Sequence, residues 1–301
     1  MNIADWIGRK EIVSDVITAM PVAALSATLN RPAQRPATGT VLPAVWHWLY
    51  FVNLYQQSEA GHDGHPTKGG FLPPIELPRR MWAGSQIAFA QHLRVGDTVR
   101  RESTIADVND KSGRSGRLVF VKVNHKLFRG DESIAAIDEF HDIVYRQAPK
   151  ADDKPVPPQV APQLQSSPST STSTSTSSLP HVATALTWER KIVPDSLLLF
   201  RYSALTFNGH RIHYDQPYVT QVEGYPGLVV HGPLIATLLL DGLRHQLADV
   251  DIASYSFRAV RPTFDTDHFF VCGQQDGDKS FHLWAKDHQG WLTMDAKVTI
   301  R

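Results

Sequence analysis

Between Phe200 and Arg244 the chain reads FRYSALTFNGHRIHYDQPYVTQVEGYPGLVVHGPLIATLLLDGLR, and this stretch holds the side chains best suited to chemistry. A polar run, Asn208-Gly209-His210-Arg211-Ile212-His213-Tyr214-Asp215, places imidazoles on a loop. After the turn Tyr225-Pro226-Gly227 come Leu228-Val229-Val230, then His231-Gly232-Pro233, then an apolar helix. An imidazole with a reference pKa of about 6.5 takes and returns protons at neutral pH. A glycine at the start of a buried helix offers its N–H, reinforced by the helix dipole, to a developing oxyanion. Together they suit a thioester: one group moves protons while backbone N–H groups and the helix dipole hold a developing oxyanion. Asn208 is an amide that cannot ionise, so it can only orient a water or an imidazole. His231 reads as a hydrogen-bonding residue at the helix start.

The elements that must position these groups follow from the periodicity. A helix from about Pro233 to Leu247 carries Leu234, Ile235, Leu238, Leu239, Gly242 and Leu243, apolar nearly all round, so it should be wrapped on most sides. Asp195 is placed to cap a short helix leading into the polar loop. Strands are expected at Thr187–Ile192, Ile252–Val260, His268–Gln275, Ser280–Asp287 and Trp291–Ile300, with turns such as Asp276-Gly277-Asp278 between them. A buried helix wrapped by an antiparallel sheet is the plan of a hot-dog domain.

The first half follows a similar plan. A helical pattern runs from Trp6 to Leu29, with Ile12, Val16, Ile17 and Met20 on one face until Pro21 interrupts it. Leu42–Leu54 has strand or buried-loop character, and residues 61–78, dense in glycine and proline, form a loop. Strands are expected at Ile87–Phe89, Asp97–Val108, Arg117–Phe128 and Ser133–Arg146. The whole reads as an α+β chain, a double hot-dog with two units side by side. Residues 147–180, rich in Pro, Ser and Thr, read as a flexible linker between an N-terminal unit (1–146) and a C-terminal unit (181–301).

Composition narrows the function. Thirty basic and thirty acidic residues cancel, so nothing global steers the chain towards nucleic acid or an anionic membrane. Cys272 is the only cysteine, which excludes an internal disulfide and a cysteine-built zinc site. His47, His62 and His65 cluster in sequence, with no carboxylate at ligand spacing, and no metal or redox cofactor is expected. Neither G-x-G-x-x-G nor H-E-x-x-H occurs. The N-terminus lacks a secretory pattern, and Leu228–Leu240 is too short to span a bilayer, so a cytoplasmic protein is expected.

The run Asn208–His213 resembles the D-x-N-P-[LIV]-H motif of the MaoC-like, (R)-specific enoyl-CoA hydratases, which is followed downstream by H-G at the start of a central helix. His213 falls on the motif histidine, Gly232 on the glycine facing the thioester carbonyl, and Asn208 on the motif aspartate. The wider pattern, SALTFNGHRIHYD before YPGLVVHGP, resembles the double hot-dog branch of mesaconyl-C4-CoA and itaconyl-CoA hydratases and type 2 hydroxyacyl-thioester dehydratases. HPTKGGFLPPIELPRRMWAGS resembles the opening of that branch's catalytically silent unit.

The resemblance implies a hydro-lyase acting on a short branched dicarboxylyl-CoA, itaconyl-CoA ahead of mesaconyl-C4-CoA, with CoA as part of the substrate and no separate cofactor. It implies catalytic His213, Asn208 and Gly232, with Arg211, Tyr214, Val230 and His231 beside the substrate. Arg211 or a neighbouring arginine would clamp a free carboxylate; Arg258 and Arg261 would meet CoA phosphates or merely fringe a strand. A homodimer is expected. The competing readings are an enoyl-thioester hydratase or 3-hydroxyacyl dehydratase of fatty acyl metabolism, a thioesterase, and a non-catalytic acyl-CoA-binding protein.

Overall fold

The computed structural model describes residues 3–32, 35–113, 116–147, 157–164 and 186–301. Expectations that fall on 148–156 and 165–185, most of the linker, lie outside the described residues.

Ten strands form one antiparallel sheet. The first half contributes β1 (Lys10–Val16), β2 (Arg79–Phe89), β3 (Thr98–Gly113), β4 (Gly116–Arg129) and β5 (Ile137–Arg146). The second contributes β6 (Thr187–Ile192), β7 (Ile252–Ala259), β8 (Phe269–Gly277), β9 (Ser280–Asp287) and β10 (Leu292–Ile300). The order is β1-β3-β4-β5-β2-β7-β10-β9-β8-β6, so β2 and β7 join the halves edge to edge. That seam pairs Gly84 with Arg258, and a Cβ at Gly84 would overlap the Phe257 carbonyl. A bulge between Trp82 and Gly84 breaks the pairing with β5. Such a bulge bends a strand and re-aims its side chains.

The helix α4 (Gly232–Gln246) lies across β6, β8, β9 and β10 with ten consecutive residues, Leu234 to Leu243, buried. The apolar circumference read from the sequence is therefore met by protein on nearly every side. Its one internal carboxylate, Asp241, is fully buried and ion-paired with Arg31 and Arg190, the latter at 2.7 Å. A buried charge is tolerated only with such partners.

The first half departs from its expected plan. The helix expected over Trp6–Leu29 is instead β1 followed by α1 (Ala19–Thr28). Ile12 and Val16 mimic a helical face, but in β1 they point outward and are exposed, while Val13 packs on the core. Pro21 sits in the first turn of α1, where a missing N–H costs nothing, so it starts the helix rather than ending it. α1 packs on α2 (Ser196–Leu205) and on the 3-10 turn Trp46–Leu49, not broadly across the sheet as α4 does. The two halves thus share strands but not an equivalent central helix.

Part of the expected linker is also docked. Val160 bridges to Trp291, Ala161 N–H donates to the Gly290 carbonyl, and Ala161 and Leu164 pack with Cys272, Trp284 and Leu292. Small apolar residues among prolines suffice to hold residues 157–164 on the C-terminal unit.

Gly273 of β8 lies under the Trp188 ring, and a Cβ there would overlap it. Trp188 is buried against the same core as α4. Gly273→Ala should therefore lower stability by about 1–3 kcal/mol, the usual cost of overpacking, read as a shift in the urea midpoint.

Candidate active site

The polar loop begins where α2 ends. Asp195 caps α2, its carboxylate accepting from Leu198 N–H at 2.7 Å. At the other end Asn208 N–H donates to the Ser203 carbonyl at 2.8 Å and Phe207 N–H to that of Ala204, with Phe207 at φ 50°. This is a Schellman closure with phenylalanine where glycine is usual, a conformation that costs an L-residue about 1–2 kcal/mol. It turns the chain sharply into the loop, and the Asn208 Oδ1 then accepts from His210 N–H at 3.1 Å. A short 3-10 turn, Arg211–His213, and then the six-residue helix α3 (Gln216–Gln221) follow.

His213 is held by a reciprocal pair of bonds to Val229. The Val229 N–H donates to the Ile212 carbonyl at 2.9 Å, and His213 Nδ1 bonds the Val229 carbonyl at 2.6 Å. A carbonyl only accepts, so Nδ1 carries the proton and Nε2 keeps its lone pair. Burial, partly opposed by that bond, pushes His213 down to about 4. His213 stacks on His231 with ring centroids 3.7 Å apart and an interplanar angle of 18°. His231 is itself buried, its Nε2 bonded to Ser203 Oγ at 2.8 Å, and burial followed by the neighbouring His213 holds it well below the usual imidazole range. Both rings are neutral at physiological pH.

His231 is the N-cap residue of α4 and Gly232 its first residue. Among the described residues no acceptor meets the Gly232 N–H. A Cβ at Gly232 would find only the Trp82 carbonyl within 4 Å, at 3.9 Å, so the glycine borders open space. That space is a cavity of about 900 Å³ lined from both halves, by Asn208, His213, Val230 and Gly232 on one side and Trp48, Trp82 and His141 on the other.

The loop of residues 61–78 closes this site from the first half. Its contact with the polar loop is backbone to backbone: a Cβ on Gly64, which has φ 86°, would overlap the Gly209 carbonyl, and one on Gly209 would overlap the Tyr55 hydroxyl. Arg211 N–H donates to the Asp63 carbonyl at 2.8 Å and its guanidinium to the His62 carbonyl at 2.9 Å. The loop brings Asp63 and His65 against His210. His65 Nδ1 bonds Asp63 Oδ2 at 3.0 Å, the His65 and His210 rings lie 4.0 Å apart, and His210 meets His213 edge-on at 5.5 Å. Burial, with His65 and His213 next, pushes His210 down to about 2. Burial alone would raise Asp63, but the hydrogen bond and charge of His65 hold it well below the usual carboxylate range.

Several expectations need correcting here. A carboxylate does reach ligand spacing among the loop histidines: Asp63, His65 and His210 bring ligand atoms within 4.8 Å of one another, although Asp63 is already bonded to His65. Arg211 does not face the cavity. Its guanidinium is spent on Asp215 at 2.8–2.9 Å and stacks on Tyr218, so it staples the loops instead of clamping a ligand. Tyr214 is turned outward, its hydroxyl donating to the Gly209 carbonyl at 2.8 Å. Arg258 is exposed on the β7 seam, away from the cavity lining. Arg261 does line it, 3.7 Å from Asp287. Val230 lines it too, with its N–H used on the Thr263 carbonyl at 2.8 Å.

The first-half residues Trp48, Trp82, Glu139 and His141, which line the cavity, were given no site role from the sequence. Glu139, on β5, is fully buried and accepts from His47 at 2.8 Å, His141 at 2.6 Å and Trp48 at 3.2 Å. Burial alone would raise its pKa, but the charge and hydrogen bond of His141, with those of His47, hold it well below the usual range. The only signal for these residues was the density of histidine and tryptophan in WHWLY and RRMWAGS, which no periodicity argument connects.

The family model described as hydroxyacyl-thioester dehydratase type 2 matches residues 45–265. The chain is 43% identical to a mesaconyl-C(4)-CoA hydratase of Chloroflexus aurantiacus, covering 100% of this chain and 99% of that one. It is 24% identical to the mitochondrial hydroxyacyl-thioester dehydratase type 2 of Schizosaccharomyces pombe, covering 91% and 92% of the two chains. Among solved structures it is similar to a MaoC-like dehydratase (TM-score 0.68, 11% identity, 98% of each chain). It is also similar to a Mycobacterium tuberculosis protein described as having a double hotdog fold (TM-score 0.59, 12% identity, 98% and 96%). The chain is therefore a double hot-dog hydro-lyase and belongs to the hydroxyacyl-thioester dehydratase type 2 family.

Proposed function

We propose that the protein adds water reversibly across the C=C of a short branched dicarboxylyl-CoA thioester, with mesaconyl-C4-CoA as first candidate and itaconyl-CoA, which would give citramalyl-CoA, as second. The observation that carries the chemistry is the meeting of a neutral His213 with a free Nε2 and a free Gly232 N–H at one cavity. The extent of similarity to the mesaconyl-C(4)-CoA hydratase supports that substrate ahead of itaconyl-CoA. The cavity wall on the first-half side, with His141, Arg80 and Arg101 rather than a continuous aliphatic lining, suits a polar acyl group better than a long chain.

In the proposed reaction, written for mesaconyl-C4-CoA, whose C=C is conjugated with the thioester, the carbonyl accepts from Gly232 N–H at the positive end of α4. Water bound between Asn208 and His213 attacks the β carbon while His213 Nε2 takes its proton. The electron pair of the C=C moves to the thioester oxygen as an enolate. The His213 imidazolium then returns the proton to the α carbon, and the sum is one water added. Losing an oxyanion donor costs about 3–4 kcal/mol in comparable sites, so Gly232 carries a large share of the barrier reduction. The reading carries with it a cytoplasmic homodimer with no cofactor beyond the CoA of the substrate. The second reading is a hydroxyacyl-thioester dehydratase for uncarboxylated acyl groups, favoured by the S. pombe relative.

The test is turnover of mesaconyl-C4-CoA, itaconyl-CoA and crotonyl-CoA by the purified chain, followed as a gain of one water by mass spectrometry. Preference for crotonyl-CoA would replace the dicarboxylyl reading with the second one. His213→Ala should lower kcat by about 10²–10⁴-fold; retention within tenfold would remove it as the base.

Because the base is neutral His213, held down to about 4, kcat/KM should stay level through pH 6 and fall only as pH drops towards about 4. The same depression links to stability. The unfolded imidazole binds a proton near pH 6.5 and the folded one only near 4, so acid costs stability across that window and rising pH restores it. A kcat/KM profile that breaks near 6.5 would contradict the assignment.

A further inference from the structure

We infer that Arg80 receives the free carboxylate of the acyl group, an inference that rests on the dicarboxylyl reading above. Successive side chains of a strand alternate between faces, so Arg80 and Trp82 share one face of β2. Register places Arg80 opposite Tyr145, which is buried, and Trp82 opposite the partly buried Ile143. Trp82 is the bridge to the chemistry. Its carbonyl lies 3.9 Å from where a Cβ on Gly232 would sit, and its ring packs on His141 with centroids 4.1 Å apart. One pleat along, the Arg80 guanidinium lines the same cavity. It lies close enough to His65 and His210 for its charge to oppose their protonation.

What singles out Arg80 is how it is satisfied. The other arginines of the cavity are mostly paired: Arg79 with Glu223 at 3.0 Å, Arg101 with Glu11 at 3.6 Å and Arg261 with Asp287 at 3.7 Å. Among the described residues no salt bridge reaches Arg80, which sits across the ladder from Tyr145. Arg146 also lacks an ion pair there, but it ends β5 opposite Arg79, on the alternate face from Arg80. A half-buried guanidinium with no carboxylate partner keeps its donors for a planar, bidentate acceptor. In mesaconyl-C4-CoA the carboxylate is bonded to the carbon that water attacks. A cation that grips it fixes the β carbon against His213, converting binding into alignment. Arg211, the arginine nearest His213 in sequence, is excluded from the role by Asp215.

The experiment uses two thioesters that cannot be hydrated, succinyl-CoA and butyryl-CoA, which differ at the terminal carbon by a carboxylate against a methyl. Dissociation constants are measured by titration calorimetry for the full wild-type chain, Arg80→Met and Arg80→Lys, with circular dichroism melts as the folding control. Wild type should prefer succinyl-CoA. Arg80→Met should weaken succinyl-CoA about tenfold to a hundredfold, as expected for lost charge-assisted hydrogen bonds, and leave butyryl-CoA within about threefold. Arg80→Lys, which keeps charge but not the fork, should fall between. If Arg80→Met does not fold, the lysine variant's loss on succinyl-CoA alone carries the test. Equal weakening of both ligands would assign Arg80 to CoA or to the scaffold and overturn the inference, as would an unchanged preference in the variants. Absence of any preference in wild type would instead overturn the dicarboxylyl reading, and this inference with it.

Discussion

The site depends on one hydrogen bond, from His213 Nδ1–H to the Val229 carbonyl at 2.6 Å. It selects the tautomer, aims Nε2 at the cavity, and ties the polar loop to the strand-like segment that feeds α4. The surroundings then keep the ring neutral. Two imidazoles stacked at 3.7 Å cannot both be charged without strong repulsion, and the start of a helix is a poor place for a cation. On the proposed reading the pair acts as base and buttress, with Ser203 fixing the second ring.

The amide at Asn208 takes on meaning in that setting. An aspartate there would set a negative charge beside a substrate that, on the proposed reading, already carries one. Like charges at short range raise each other's pKa and weaken binding. Asn208 orients through its amide without that penalty. On that reading the proton traffic falls to His213, while Asp63 and His65 of the opposite loop pack behind His210.

Much of this was legible in the sequence, and the reasons are specific. Local signals were reliable: the all-round apolar α4, the Asp195 cap, the five strands of the second half and the spacing from His213 to Gly232 follow from short-range chemistry. Where apolar spacing fitted two periods, as at Ile12 and Val16, the exposed edge of β1 passed for a helix. The failures at the site were of another kind. Arg211 stood beside the right residues in sequence, but Asp215, four positions on, takes its charge. Arg80, Trp82, Glu139 and His141 reach the cavity only because β2 pairs with β7 and the 61–78 loop folds over. No pattern along the chain encodes that meeting.

The seam between β2 and β7 has a consequence for how this protein can be built. Gly84 lets two backbones approach closely, so the halves are joined by ladder hydrogen bonds and a shared core, while the residues between them add covalent continuity. The same enzyme could therefore be encoded as two polypeptides that find each other along that edge, each contributing part of the cavity wall. Fusion into one gene then fixes a one-to-one ratio and lets the two walls diverge, one keeping the reacting groups and the other recording the shape and charge of the acyl group.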